Sequence, residues 1–438
     1  MIAFDKIIGY ASVKRELMQI SDTLKNTHIY KELGVCAPRG LLLYGEPGVG
    51  KSLMAETVIE ASGVNAFICR KDKPNRDFVK QIKATFDKAA TNAPSIVYLD
   101  DMDKFANVDD RYKDAEEYVT VQSCIDEVKG KQVFVLATAN DLSCLPRSLY
   151  RAGRFDRIIK IEAPKGDDAE KVISHYLSEK QYVDNIDPAV IARIMDGRSC
   201  AELETVINEA GIYAGFEQSK SITMEHFLKA CLKTIFDVPV EALGYEDDGL
   251  NFCTLPSNTG CALSQVVCHE SGHAVISEIL CPESVTLISA YHISGKQGGF
   301  TSYYHNADFL PLFWLKSRII SSLGGIAAIE QKFGLFDAGC DHDLDRAFDM
   351  SRNMVVNNCV CGLYLHEDRY GASEQLKCEQ EKAVACEVEK YYRKAKEILS
   401  LNHDFFDKIA AALTQKGLLS SLDIKRIKNE CEIILVTL

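Results

Sequence analysis

The chain has 438 residues, 47% of them hydrophobic and 26% charged, and a formal net charge of −13. That length exceeds one ordinary core and implies two or three domains, while the acidic balance argues against nucleic acid as the main partner. The opening Met1-Ile2-Ala3-Phe4-Asp5-Lys6 carries an acid and is no secretory signal, and nowhere do eighteen apolar residues run together. No membrane insertion is therefore expected. The 16 cysteines contain no C-x-x-C pair, so reduced thiols in a soluble, cytoplasmic protein are expected rather than a disulfide framework.

In chain order, the first strong signal follows a mixed stretch over 1–35. Arg39-Gly40-Leu41-Leu42-Leu43-Tyr44 reads as a short buried strand, and Gly45-Glu46-Pro47-Gly48-Val49-Gly50-Lys51-Ser52 is G-x-x-x-x-G-K-S, followed by a helical stretch from Leu53 to Ala61. Such a loop curls backbone N–H groups around phosphates at a helix N-terminus. Gly45, Pro47, Gly48 and Gly50 shape it, Lys51 reaches the β- and γ-phosphates of ATP, and Ser52 ligates Mg2+. A second strand, Ile96-Val97-Tyr98-Leu99, ends in Asp100-Asp101-Met102-Asp103. Asp100 stands where a magnesium-supporting carboxylate belongs. A third, Val133-Phe134-Val135-Leu136, leads into Ala137-Thr138-Ala139-Asn140; Asn140 either orients the attacking water or simply turns the chain. Arg151 and Arg154, in Arg151-Ala152-Gly153-Arg154-Phe155-Asp156-Arg157, are candidate arginine fingers for a neighbouring protomer's nucleotide or ordinary surface ion pairs. Residues 165–235 are helix-rich. Ser199-Cys200-Ala201-Glu202 is a capping box, and Leu203, Val206, Ile207, Ala210 and Ala214 make one apolar face.

The stretch 241–260 holds Gly, Pro, Asp and Asn without periodicity and reads as a linker. Then Cys268-His269-Glu270-Ser271-Gly272-His273-Ala274 supplies H-E-x-x-H inside apolar flanks. On a helix, His269 and His273 point both imidazoles at one ion. Glu270 stands beside it, where a carboxylate takes a proton from water made acidic by zinc. Residues 298–304 look like a strand. Leu312, Leu315, Ile319, Leu323 and Ile326 form a core stripe. A third metal ligand has four credible sources, Cys340, Asp341, His342 and Asp343, all ligand types or helix caps. Val384, Val388, Tyr391, Ala395, Ile398 and Leu399 form a closing helical stripe.

The phosphate loop, the acidic strand end, T-A-N and R-x-G-R-F-D, in this order, resemble an AAA+ ATPase. With the downstream H-E-x-x-H they resemble the FtsH family of ATP-dependent zinc proteases. The similarity runs from F-D-K-I-I-G-Y at Phe4 to the helices around Lys394–Leu399. The resemblance implies a multidomain α/β plus α architecture. A parallel-sheet ATPase subdomain over 1–162 and a helical lid over 163–240 would precede the linker 241–260 and a mainly helical zinc protease domain over 261–438. It implies Zn2+, ATP and Mg2+ as cofactors, protein substrates and a homohexamer. It selects Asp343 as the third zinc ligand and makes 298–304 an edge strand that pairs with extended substrate, where the residues alone fit a core strand equally.

Three features depart from the family pattern. The family's usual N-terminal membrane-spanning helices are not found in this sequence, so either a soluble relative or a missing membrane part is expected. Asp101 stands where the water-polarising glutamate is usual. Between Phe67 and Phe86 no aromatic–hydrophobic–glycine pore loop occurs, Phe78-Val79 being the nearest candidate. The competing reading is an AAA+ remodelling or scaffold protein in which ATP binding mainly assembles the ring.

Overall fold

A computed structural model describes residues 2–35, 37–71, 77–106, 115–151, 153–181, 186–238, 260–291, 298–304, 311–334, 340–367, 371–436 and 438. Packing divides the chain into two compact units, Met1–Tyr182 with Met195–Asn208, and Val183–Ile194 with Glu209–Leu438. The segment 163–240, expected as a lid, contributes to both units. The expected linker lies, except for Gly260, outside the described residues.

The first unit opens with helices α1 (Ala11–Lys25) and α2 (Thr27–Glu32) and alternates strands with helices thereafter: β1 (Gly40–Tyr44), α3 (Lys51–Ser62), β2 (Asn65–Arg70), α4 (Phe78–Thr91), β3 (Ser95–Asp100), α5 (Glu116–Glu127), β4 (Val133–Ala139), β5 (Arg157–Lys160) and α6 (Asp167–Ser178). The strands form one sheet in the order β2-β3-β4-β1-β5, every pair parallel. Parallel sheets bury both faces, so their strands read as unbroken apolar runs. Side chains alternate accordingly. Leu42, Val97, Leu99 and Val135 pack with Phe78, Ile82 and Phe86 on one face, while Leu41, Leu43, Ile96, Tyr98 and Phe134 pack with Leu17, Met54 and Val58 on the other. β1 lies between β4 and β5, with Tyr44 opposite Ala139. The phosphate loop, Asp100 and Asn140 consequently leave the carboxyl edge of neighbouring strands, where α/β sheets bind ligands. Phe78 opens α4 fully buried, edge-on to Phe105 at 4.8 Å. It is core, and the sequence candidate for a substrate-gripping loop fails at this position.

The lid helices are α7 (Pro188–Ile194), α8 (Cys200–Phe216) and α9 (Met224–Thr234). The capping box forms at α8: Ser199 N donates to Glu202 Oε2 at 2.8 Å and Glu202 N to Ser199 Oγ at 3.3 Å. Leu203, Val206, Ile207, Ala210 and Ala214 are all buried.

The rest of the second unit comprises α10 (Gly260–Leu280), β6 (Val285–Ser289), β7 (Phe300–Tyr303), α11 (Leu312–Ser322), α12 (Gly324–Phe333), α13 (Asp341–Val356), α14 (Glu374–Leu401), α15 (His403–Lys416), β8 (Leu418–Ser420) and α16 (Ser421–Asn429). α10 is apolar on most sides because α11, α12, α15 and β6 all pack on it. Its approach to α12 requires glycine: a Cβ on Gly272 would lie 2.4 Å from Gly324 O, and one on Gly324 would lie 2.8 Å from Gly272 O. β6, β7 and β8 form an antiparallel sheet in the order β7-β6-β8, which puts β7 at an edge.

The stretch Leu312–Phe333 is long and apolar enough to cross a membrane, but 67% of its most apolar window is buried inside the protein. It is also two helices, α11 and α12, with a turn at Leu323. Ile319, Leu323 and Ile326 are buried as the stripe predicts, whereas Leu312 at its start is exposed.

Candidate metal centre and nucleotide site

In the second unit, one turn of α10 brings His269 and His273 together, and the first turn of α13 brings Asp343 to them. Asp343 Oδ2 lies 3.0 Å from His269 Nε2 and 3.1 Å from His273 Nε2, and the two Nε2 atoms are 3.0 Å apart. Zinc with donors about 2.0–2.1 Å away in tetrahedral array keeps them about 3.3 Å apart, so this donor set fits. Among the described residues it is the cluster of His, Cys, Asp and Glu groups that converges on one point. The orienting contacts have also formed: His273 Nδ1 donates to Ser321 O at 2.7 Å, and His269 Nδ1 lies 3.8 Å from Cys340 Sγ. Such contacts fix which nitrogen faces a metal. Gly325 of α12 lies flat on the His269 ring, where a Cβ would sit 2.4 Å from Cε1.

Of the four ligand candidates near the start of α13, Asp343 converges on the histidines. Cys340 is buried behind His269, and Asp341 and His342 are exposed. The site's electrostatics follow from its burial. Burial opposes the His273 imidazolium, but the Asp343 carboxylate beside it overrides that and pushes the ring up to about 9. Burial also opposes the Asp343 anion, yet the two imidazoles hold its carboxyl well below the usual range. Burial pushes the Glu270 carboxyl up, against the pull of both histidines and of Thr301. Thr301, on β7, donates from Oγ1 to Glu270 Oε2 at 2.7 Å. Neither this bond nor the Gly272–Gly324 contact is visible in the sequence pattern.

In the first unit, Gly50 caps α3 at φ +94, in the left-handed region glycine favours, and Lys51 starts the helix. Lys51 Nζ donates to Gly45 O and Glu46 O, both at 2.8 Å, and to Asn140 Oδ1 at 3.0 Å. Burial holds its pKa below the ordinary lysine value. Gly45, Pro47 and Gly48 form the bend before it, and Ser52 is exposed at the same helix end. Asp100 is buried, its Oδ1 accepting from Tyr98 Oη at 2.7 Å and Thr138 Oγ1 at 2.8 Å, while Arg70 Nη1 lies 3.4 Å from Oδ2. Asp101, at φ 53, is tied to Lys104 Nζ at 2.7 Å.

Asn140 is held by Asp103, a residue the sequence reading left without a role. Its N and Nδ2 donate to the two Asp103 oxygens, each at 3.0 Å. An open surface depression lined by Ile7, Ile8, Gly9, Lys14, Lys171 and His175, among others, also went unforeseen.

The two arginines separate. Arg151 is exposed. Arg154 is 7% exposed and spends its guanidinium on Asp126 (2.8 and 3.4 Å), Gln122 Oε1 (3.1 Å) and Ser148 O (2.7 Å). In this chain the Arg154 guanidinium is engaged by its own subunit, unlike that of exposed Arg151.

Models of three families match successive parts of the chain: the ATPase family associated with various cellular activities at residues 41–163, the AAA+ lid domain at 185–229, and peptidase family M41 at 262–427. The chain is 27% identical to the ATP-dependent zinc metalloprotease FtsH of Caldicellulosiruptor bescii, over 98% of this chain and 72% of that protein. The chain belongs to the FtsH family. It is also 28% identical to FtsH 2 of Symbiobacterium thermophilum, over 97% of this chain and 74% of the relative. It is 26% identical to the mitochondrial inner membrane i-AAA protease supercomplex subunit YME1 of Saccharomyces cerevisiae, over 81% of this chain and 47% of that one. Along this chain the matches run in the order ATPase, lid, peptidase, with the phosphate loop in the first and H-E-x-x-H in the last.

Proposed function

We propose that this FtsH-family chain cleaves peptide bonds with Glu270 as general base and His269, His273 and Asp343 as zinc ligands. The observation that carries this is the convergence of the three donor atoms within 4.8 Å of one another, with Glu270 on the same helical turn. The protein is an ATP-dependent zinc metalloprotease that degrades protein substrates, and its cofactors are Zn2+, ATP and Mg2+. Zinc at this site supplies a water that ionises near neutral pH and an electrophile for the peptide carbonyl. Glu270 takes the proton of the attacking water and passes it to the departing nitrogen. Its burial, which raises its proton affinity, suits it to both steps. The open edge of β7 suits an extended peptide paired through its backbone.

In the ATPase unit, Gly45, Pro47, Gly48, Gly50, Lys51 and Ser52 would hold the phosphates and magnesium. Asp100 supports the metal, and Asn140, set by Asp103, orients the hydrolytic water. The open depression beside Ile7, Ile8 and Gly9 is a candidate seat for the nucleotide base. Asp101 is a shorter base than glutamate and is tied to Lys104, which favours slow hydrolysis. FtsH-like proteases oligomerise; for this chain a homohexamer fits, with exposed Arg151 as the residue available to a neighbouring nucleotide. Bound zinc in protein purified without chelators tests the centre. Wild type should carry one zinc per chain, and His269→Ala, His273→Ala and Asp343→Ala should each lose most of it. Full zinc in Asp343→Ala would remove that residue from the ligand set.

A further inference from the structure

We propose that Thr301 is the positioning residue for the general base, so that the edge strand beside the metal centre also sets the angle of the carboxylate. The inference rests on the reading of Glu270 as the base. The Thr301 hydroxyl donates to Glu270 Oε2 at 2.7 Å and also lies 3.3 Å from the Glu270 backbone oxygen, at the exposed end of neither side chain. Its one proton is thus aimed at the turn of α10 that carries the H-E-x-x-H residues. Glu270 itself is 6% exposed. Among the described residues Oε1 accepts no hydrogen bond, so the carboxylate has one tethered oxygen and one left for the proton of the attacking water.

A second observation, independent of the hydroxyl, shows that β7 is seated on this carboxylate. Residues two apart in a strand share a face, and Gly299 is on the Thr301 face. A Cβ at Gly299 would lie 2.8 Å from Glu270 Cγ, 3.1 Å from Val266 Cγ1 and 2.3 Å from Ser289 O. The Glu270 stem is therefore confined by strand backbone below it, while Thr301 holds its end. Phe300, on the opposite face, stacks on Phe236 at 4.6 Å and fixes the strand from behind. Among the described residues β7 pairs with β6 on one side and no strand pairs with its other edge. A peptide added at that edge would lie along the strand whose Thr301 holds the base, and would meet a carboxylate already aimed.

The physical reason for such a device is the geometry of proton transfer. A carboxylate rotates about its terminal bonds, and a buried one left without a donor on either oxygen has no fixed direction and an uncompensated polar end. Displacement of a reacting group by an ångström costs rate without costing substrate affinity.

The test compares Thr301→Val, Thr301→Ala and Thr301→Ser with wild type in the zinc-loaded, full-length protein, with ATP, on a fluorogenic peptide and on unfolded casein. Removal of the hydroxyl in Thr301→Val should lower kcat roughly 10- to 100-fold with KM within about twofold of wild type. Thr301→Ala should do the same, which covers the case of a poorly folding valine variant. Thr301→Ser should recover most of kcat. Zinc content and ATPase rate should match wild type in all three. In a Glu270→Gln background Thr301→Val should change nothing further. The proposal is overturned by a Thr301→Val enzyme with wild-type kcat, by a serine variant as slow as the valine one, or by a loss confined to KM. Activity surviving in Glu270→Gln alone would sink the underlying base assignment instead, whatever Thr301 does.

Discussion

Replacing Gly272 with alanine sets two effects of known sign against each other at the metal helix. Helix propensity alone favours alanine over glycine by about 1 kcal/mol in a helix interior. Against it stands the contact with α12, where the new Cβ would meet Gly324 O at 2.4 Å and Ala328 Cβ at 2.7 Å. The first of these is a backbone oxygen inside a packed helix and cannot rotate away. The helices must separate by most of an ångström, which places the cost near the top of the ~1–3 kcal/mol range for overpacking. The net prediction is a loss of about 2 kcal/mol, or roughly 4–8 °C in the melting transition of a unit of this size. Separation also carries Gly325 off the His269 ring and α11 off His273, so zinc should be released at lower chelator concentration. Calorimetry of the zinc-loaded protein, with a chelator titration alongside, reads both quantities. A melting transition that stays put or rises would mean that propensity decides and that α10 and α12 do not meet through glycine.

Further perturbations probe single contacts. Arg154→Ala should destabilise the ATPase unit by about 1–2 kcal/mol, since the bonds to Gln122, Ser148 and Asp126 are lost while the Asp126 carboxylate left behind stays solvated, whereas Arg151→Ala should leave the melting transition unchanged and lower the ATPase rate of the assembled protein. Calorimetry and phosphate release separate the two. Asp103→Ala should lower ATPase kcat by roughly tenfold or more while ATP affinity holds, because Asn140 loses both of its bonds to Asp103 and keeps only the one from Lys51; weakened binding with unchanged kcat would contradict the assignment of Asn140. Asp101→Glu should raise the hydrolysis rate, and Lys104→Ala, which frees the Asp101 carboxylate, should raise it less. A fall in both would show that Asp101 is already in its working position.

The sites were legible in proportion to how local their chemistry is. G-x-x-x-x-G-K-S and H-E-x-x-H each place their donors through a single helix turn or loop, so spacing alone sets Lys51 against the phosphate loop and His269 against His273. The sheet strands β1, β3 and β4 were readable because burial on both faces leaves an unbroken apolar run. Shorter strands such as β5 and β8, four and three residues long, carry too little pattern to read. What escaped was set by contacts far apart in sequence. Thr301 reaches Glu270 across 31 residues, Asp103 reaches Asn140 across 37, and Gly272 meets Gly324 between separate helices. Asp343 was credible beside Cys340, Asp341 and His342 by chemistry alone; the fold distinguishes them, because helical geometry turns Asp343 toward the histidines and puts Asp341 and His342 in solvent. The Arg154 contacts were hidden for the same reason, since Asp126 and Gln122, which engage it, are one turn apart on α5 and 28 and 32 residues away.

The central claim is that one chain couples a nucleotide site to a zinc peptidase, and cleavage of unfolded casein tests it most directly. The zinc-loaded protein is compared with its chelator-stripped form and with Glu270→Gln, each with ATP, with a non-hydrolysable analogue and without nucleotide. The account predicts cleavage by the zinc-loaded wild type with ATP, little without nucleotide, and a loss of roughly 10²–10⁴-fold in Glu270→Gln that still carries its metal. Cleavage equal in wild type, stripped protein and Glu270→Gln would contradict it.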